Sequence, residues 1–355
     1  MVKVLVVDDS PLAREMITTI LNTDSEINVI GQASNGREAI EFLKNNPEKP
    51  DIITCDIQMP IMNGFEAIEH IMAYNPTPIL IVTVLNKDEN FMKALKLGAL
   101  DIIQKPAPDS WIEIPKIGME LIEKVKLLSR VNVVIHLDGK QKARQKGKMK
   151  GLEEIEKRVQ AEDKVVGIAS STGGPTTLLR LFKTFEQDFP APVLVVQHMS
   201  EGFFIKGLID WFKNSIKMPI KQAEDGETIE NGCIYISPIN VHLKLKGRTI
   251  VLDDSPPIRN QKPSADLLFE TMAEYHKENC IAIVLTGIGE DGAGGIKRVK
   301  ELGGLTIAQD QETSTVFGMP KAAIDTGCVD KILPLEEIGH FLNEIFFNEV
   351  DDSYS

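Results

Sequence analysis

Five residues in the first third of the chain have side chains suited to phosphoryl chemistry: Asp8, Asp9, Asp56, Thr83 and Lys105. Each stands where a short apolar run stops. Three carboxylates brought together repel unless a cation holds them. A hard divalent ion such as Mg²⁺ accepts carboxylate oxygens and keeps waters for a phosphate. Asp56 is then a candidate nucleophile that attacks a phosphoryl donor and becomes an acyl phosphate. Lys105 would neutralise phosphoryl oxygens, and Thr83 would donate a hydrogen bond. Singly, such an Asp is more often a cap or turn residue; all five at the ends of apolar runs make a stronger signal.

A second set lies further on. The run Val165–Ala169 leads into Ser170-Ser171-Thr172-Gly173-Gly174-Pro175. Pro175 suits a first helical turn, whose free N–H groups and partial positive charge face the loop. Such a loop can cradle a phosphate, present a nucleophilic hydroxyl beside an oxyanion site, or simply cap a helix. This loop carries neither G-x-x-x-x-G-K-[ST] nor G-x-G-x-x-G, which argues against the phosphate. His198 follows the run Val193–Gln197, as a general base or a packed side chain. Asp291, in Thr286-Gly287-Ile288-Gly289-Glu290-Asp291-Gly292, can orient that imidazole or cap the helix that follows. Ser171, His198 and Asp291 are the residue types of a Ser-His-Asp triad. Their order differs from the α/β-hydrolase, chymotrypsin and subtilisin orders, and Ala169 stands where G-x-S-x-G needs glycine.

Both sets need a scaffold that gathers strand ends. Apolar runs at Lys3–Val7, Val29–Ala33, Ile52–Cys55, Ile79–Thr83 and Asp101–Gln104 alternate with amphipathic stretches near 11–22, 36–46, 64–73, 88–97 and 112–129. This rhythm predicts a doubly wound parallel sheet with ligands at the carboxyl ends of its strands. The rhythm resumes after Lys164, with strands at 165–170, 193–199, 281–286 and 305–309. Helices are predicted at 175–186, 203–216, 265–278, 292–302 and 335–346. The alternating run over 232–254, with Lys246-Gly247, predicts an antiparallel hairpin inserted into this second α/β domain. Between the two, GKQKARQKGKMK at 139–150 carries six basic residues and no acidic or aromatic one, as a solvated linker would or, as the lesser alternative, a docking strip for an acidic partner. The acidic stretch 349–355 reads as a disordered tail.

At 355 residues, two domains fit a prior of roughly 150 residues each. The net charge of −13 and pI near 5.1 oppose nucleic-acid binding and anionic membrane surfaces. No stretch approaches the roughly 20 apolar residues of a membrane span, and the first residues lack the pattern of a signal peptide. Cys55, Cys233, Cys280 and Cys328 have no zinc or disulfide spacing and read as buried reduced thiols. A cytoplasmic location is expected.

The segments VVDDSPLAR and CDIQMPIMNGFEA, the Thr83 strand end and Lys105-Pro106 resemble a response-regulator receiver domain over about residues 1–125. The resemblance implies a flavodoxin-like fold, Asp56 as phosphoacceptor, and Asp9 and Asp56 as Mg²⁺ ligands with Asp8 in the acid pair. It makes Thr83 and Lys105 the phosphate-reading residues. Where such receivers often carry an aromatic switch residue, this chain has Ile102. Over about 163–347, SSTGGP, QHMSEGF, AEDGETIENGCIYISP, Lys262-Pro263-Ser264, LTGIGEDGAGG and TSTVFGMPKAA resemble the catalytic domain of chemotaxis protein-glutamate methylesterases. The resemblance implies Ser171 as nucleophile, His198 as base and Asp291 as orienting acid. Thr172, Gly173 and Ile288 would line the oxyanion and substrate site. Ser170, Ile288 and Glu290 stand where that family usually has glycine, methionine and asparagine, and Ser171 rather than Ser170 aligns with the serine of its S-T-G-G motif.

Taken whole, the resemblance implies receiver 1–125, linker 126–162, catalytic domain 163–347 and tail 348–355. The expected activity is a phosphorylation-activated hydrolase that demethylates glutamate methyl esters on chemoreceptors and deamidates receptor glutamines. The expected partners are those receptors and a chemotaxis histidine kinase, with no nucleic acid and no membrane insertion. The ester reaction itself would need no cofactor. A receiver-gated hydrolase with another substrate would share every one of these residues. A DNA-binding output would need a basic helix-turn-helix pattern that is absent here.

Overall fold

The computed structural model describes residues 1–84, 88–105, 114–131, 164–199 and 205–347. It forms two compact units, one within residues 1–143 and the other within 144–355. The linker stretch 139–150, Pro106, Ser200–Phe203 and the acidic tail lie outside the described residues.

The first unit alternates β1 (Val2–Val7), α1 (Pro11–Leu21), β2 (Ile27–Ala33), α2 (Gly36–Asn45), β3 (Ile52–Cys55), α3 (Gly64–Tyr74), β4 (Ile79–Thr83), α4 (Asp88–Leu97), β5 (Asp101–Gln104) and α5 (Ile114–Leu128). All five strands are parallel, in the order β2-β1-β3-β4-β5. β3 and β4 are buried at every position, as unbroken apolar runs covered on both faces must be. The order in which successive strands are added reverses between β1 and β3, so the crevice between their carboxyl ends is the topological switch point where such sheets bind ligands. Ser10 caps α1 and Asn63 caps α3 through a capping box with Glu66, which fixes where each loop at that edge ends.

In the second unit a seven-stranded parallel sheet runs β14-β13-β12-β6-β7-β9-β8. Its members are β6 (Val165–Ser170), β7 (Val193–Gln197), β8 (Ile220–Gln222), β9 (Ile234–Ile236), β12 (Cys280–Val284), β13 (Leu305–Gln309) and β14 (Lys331–Leu333). The helices are α6 (Gly174–Phe182), α7 (Ile205–Lys213), α8 (Ala265–His276), α9 (Ala293–Glu301), α10 (Met319–Asp325) and α11 (Leu335–Phe347). β6 is central and buried throughout. β7 lies on one side of it and β12 on the other, so the switch point falls at the end of β6.

The predicted hairpin is present as β10 (His242–Lys246) and β11 (Thr249–Asp253), a separate antiparallel pair turning at Gly247. Ile234–Ile236, inside the same alternating run, instead joins the main sheet in parallel with β7 and β8. Three-residue strands such as β8, β9 and β14 are too short to declare a period, and the seven-residue α10 is under two helical turns. Cys55, Cys233 and Cys280 are buried, whereas Cys328 is partly exposed; all four are free.

Candidate functional site

In the first unit, Asp8 directly follows β1 and Asp56 directly follows β3. Their parallel register brings both to the switch point, where Asp56 N–H donates to Val7 O (2.9 Å). The ligand atoms of Asp8, Asp9 and Asp56 lie within 4.8 Å of one another. Asp8 and Asp56 are buried and Asp9 is exposed. Lys105, brought in by β5, places Nζ 2.6 Å from Asp8 Oδ2 and 2.5 Å from Asp56 Oδ2. Burial works against its charge, but the two carboxylates win and push the ammonium pKa up. Burial likewise drives the Asp8 carboxyl above its ordinary range, with Lys105 opposing. Three carboxylates thus face one ammonium, a donor set that suits a hard divalent cation. Thr83 is buried at the end of β4, beside the Lys105 backbone, whose N–H donates to Thr83 O (2.9 Å). Ile102 is buried within β5.

In the second unit, β12, β6 and β7 end level: Val284 pairs with Ala169, and Ser170 with Gln197. The loops after these three strands therefore share one edge. The two adjacent serines have different fates. Ser170, the last residue of β6, is fully buried and its hydroxyl donates to Gln197 Oε1 (2.7 Å). Ser171 is one residue beyond the strand and partly exposed. Its N–H donates to Thr286 O (3.0 Å), and its carbonyl accepts from Gly174 N–H (2.7 Å) and Gln197 Nε2 (2.9 Å). The serine backbone is thereby held from three directions.

His198 directly follows β7, and its N–H donates to Ser170 O (2.9 Å). Its ring is nearly buried, with Nε2 2.9 Å from Asp291 Oδ2. Asp291 also accepts from Ser264 Oγ (2.9 Å), Ala265 N–H (2.6 Å) and Asp266 N–H (3.0 Å). Burial opposes its charge, but the His198 bond and charge and these backbone donors outweigh it. The carboxyl is held below its ordinary range. The other ring nitrogen, His198 Nδ1, is buried with no hydrogen-bond partner among the described residues, and no hydrogen bond joins Ser171 Oγ to His198 among them.

The third wall is the 313–318 loop. Gly287 N–H donates to Val316 O (3.0 Å), and Gly287 O accepts from Gly318 and Met319 N–H (3.1 and 2.9 Å). Buried Thr286 bridges the walls: its hydroxyl donates to Thr172 O (3.0 Å) and accepts from Val316 N–H (2.8 Å). Gln309 Oε1 accepts from Thr286 N–H (2.9 Å). Thr172 and Gly173 are buried at the start of α6, and Ile288 is partly exposed in the facing loop. Residue types alone miss Gln197, Ser264, Asp266, Thr286 and Gln309. Their only signal is a polar residue at the end of an apolar strand or the start of a helix.

Comparison with known proteins aligns with this division. Residues 166–342 match the family model described as CheB methylesterase, and residues 4–115 match the response regulator receiver domain. The chain is 38% identical over 344 residues to a protein-glutamate methylesterase/protein-glutamine glutaminase of Pyrococcus horikoshii, covering 95% of this chain and 91% of that one. It is 38% identical over 361 residues to a protein of the same name from Archaeoglobus fulgidus, covering 98% and 99%. Among solved structures it is similar to the Thermotoga maritima CheB methylesterase catalytic domain, with 41% identity, a TM-score of 0.49, and coverage of 51% of this chain and 98% of that one. The response regulator domain of Thermotoga maritima CheB gives 36% identity, a TM-score of 0.34, and coverage of 37% and 98%.

Proposed function

The chain belongs to the protein-glutamate methylesterase/protein-glutamine glutaminase family, and from that premise we propose that it is a phosphorylation-activated serine hydrolase of chemotactic adaptation. Residues 1–125 are the receiver and 163–347 the catalytic domain. Its substrates are glutamate methyl esters and glutamines on chemoreceptors, and its phosphodonor is a chemotaxis histidine kinase. No helix among the described residues is long and apolar enough to cross a membrane, in keeping with work in the cytoplasm. The observation that carries the reading is the His198–Asp291 pair, bonded at 2.9 Å, at the strand edge that also presents the partly exposed Ser171 hydroxyl.

Ser171 Oγ attacks the γ-carbonyl of the glutamate side chain while His198 takes its proton. With Nε2 turned to Asp291, Nδ1 is the nitrogen that accepts it. Asp291 stabilises the resulting imidazolium. Backbone N–H groups around Thr172, Gly173 and Ile288 stabilise the oxyanion. Collapse of the tetrahedral intermediate breaks the C–O bond, and His198 returns the proton to the departing methoxide, releasing methanol. Water, deprotonated by His198, then hydrolyses the acyl-serine to the free glutamate. A glutamine follows the same course and releases ammonia.

In the receiver, a carboxylate oxygen of Asp56 forms a bond to the donor phosphorus as the P–N bond to the kinase's phosphohistidine breaks and the imidazole leaves. Asp8, Asp9 and Asp56 would hold Mg²⁺, which neutralises charge on the phosphoryl oxygens when bound. Lys105, paired with Asp56 beforehand, remains to pair with the new phosphoryl group, and Thr83 donates to it. The charge change at Asp56 biases a two-state switch that raises hydrolysis. Methanol release from methylated receptor peptides, with and without acetyl phosphate and Mg²⁺, tests the reading. Stimulation in the wild type and none in Asp56→Asn, with equal basal rates, is the expected result. Equal stimulation of both proteins would refute phosphorylation control.

A further inference from the structure

The start of α8 and the start of α9 are capped in an unusual way. Neither helix uses its own N-cap side chain: Ser264 makes no capping bond to α8, and Gly292 has no side chain to offer α9. Instead the two helices exchange carboxylates. Asp291, two residues before α9, accepts from Ala265 and Asp266 N–H at the start of α8 (2.6 and 3.0 Å). Asp266, in the first turn of α8, accepts through Oδ1 from Gly292 and Gly295 N–H at the start of α9 (2.9 and 2.7 Å).

Asp266 thus grips the turn that immediately follows Asp291, while Asp291 grips the turn that carries Asp266. The helix starts must approach closely for this. A Cβ on Gly294 would stand 3.1 Å from both Asp266 oxygens, and one on Gly295 would stand 2.6 Å from Phe269 Cβ. Gly294 and Gly295 are therefore part of the grip.

Two facing carboxylates are a costly way to cap two helices. Asp266 is 5% exposed. Burial raises its carboxyl above the ordinary range, with the Gly295 N–H opposing and the Asp291 charge adding. Its Oδ2 has the exposed Arg259 guanidinium 3.7 Å away. A neutral Ser or Asn would cap α9 without that burden. A carboxylate gives two stronger, charge-assisted bonds to the turn, at a place where the side chain just before those bonds must aim at His198.

We propose that Asp266 is a positioning residue for hydrolysis: by holding the Gly292 and Gly295 N–H groups, it fixes the turn that presents the Asp291 carboxylate to His198 Nε2. This rests on the serine-hydrolase reading above. Displacing a catalytic group by about 1 Å costs about 100-fold in rate, and Asp266 touches neither Ser171 nor His198. Loosening it lowers kcat and leaves KM unchanged.

The test uses the full chain, methylated receptor peptide, and the downfield proton resonance of His198 Nε2–H, assigned with His198→Gln. Wild type and Ser171→Ala first establish whether turnover depends on Ser171; failure there indicts the functional reading, while the proton resonance still reports on positioning. Asp266→Ala is expected to lose about 100-fold in kcat, to keep KM within about twofold, and to lose the resonance. Asp266→Asn keeps an oxygen for the glycine N–H groups and is expected to recover kcat to within about tenfold of wild type. Both remove the same charge, so their difference isolates geometry. If Asp266→Ala does not fold, Asp266→Glu takes its place: charge is kept, reach is changed, and the same kcat loss and shifted resonance are expected. Wild-type kcat with an intact resonance in Asp266→Ala (or Asp266→Glu), equal losses in Asp266→Ala and Asp266→Asn, or a loss confined to KM would overturn the proposal.

Discussion

Ser170 Oγ donates to Gln197 Oε1 at 2.7 Å inside the sheet of the catalytic unit. The neighbouring serine is therefore the one left at the edge. Ser170→Ala would strand the buried Gln197 oxygen, at a cost of about 1–3 kcal/mol. Gln197 also holds the backbone of Ser171 and His198 through Nε2 (2.9 and 2.7 Å). We expect a lower melting temperature with methanol release retained to within about tenfold. Thermal unfolding and turnover of the same preparation check both halves.

Gly287 packs directly against the serine turn. A Cβ there would stand 2.8 Å from Ser171 Cβ, and closer still to Met319 Sδ. Met319 is fully buried and cannot swing into solvent. Gly287→Ala is expected to cost about 1–3 kcal/mol of stability through overpacking. It should also lower kcat by about 10- to 100-fold by displacing Ser171. Unchanged turnover would mean that the turn moves without carrying its hydroxyl.

The sheet framework was legible in the sequence because its strands are continuous apolar runs. Ile52–Cys55, Ile79–Thr83, Asp101–Gln104 and Leu305–Gln309 stand where those runs are. The residues that end them, from Asp8 to Asp291, were legible as candidates because parallel strands deliver their carboxyl ends to one edge. Less legible was everything that depends on a partner distant in sequence. Gln197 looks like one more strand residue, and only the register of β6 with β7 turns it toward Ser170. Asp266 looks like an acid favouring its own helix dipole, yet its Oδ1 serves the neighbouring helix. Ile234–Ile236 lay in an alternating run that signalled a hairpin, and tertiary pairing overrode that signal.

Asp291 links catalysis to stability through its charge. Its folded carboxyl lies below the ordinary range, burial being outweighed by His198 and the α8 N–H groups. A depressed carboxyl stabilises the fold at pH above its unfolded value of about 4 and loses that contribution as pH falls through the folded value. Asp291→Asn should therefore melt below wild type at pH 7, with the gap closing as pH drops below about 4. The same variant should lose about 10⁴-fold in turnover at neutral pH. A melting-temperature gap that is constant from pH 7 down to about 3 would contradict this account of the carboxylate.

The most direct test of the whole account is the fate of the ester when the edge hydroxyl alone is removed. Methanol release from methylated receptor peptide is measured for wild type, Ser170→Ala and Ser171→Ala, each activated by acetyl phosphate and Mg²⁺. The account predicts that Ser171→Ala loses at least about 10⁴-fold while Ser170→Ala stays near wild type. Turnover that persists in Ser171→Ala, or vanishes in Ser170→Ala alone with its fold intact, would contradict it.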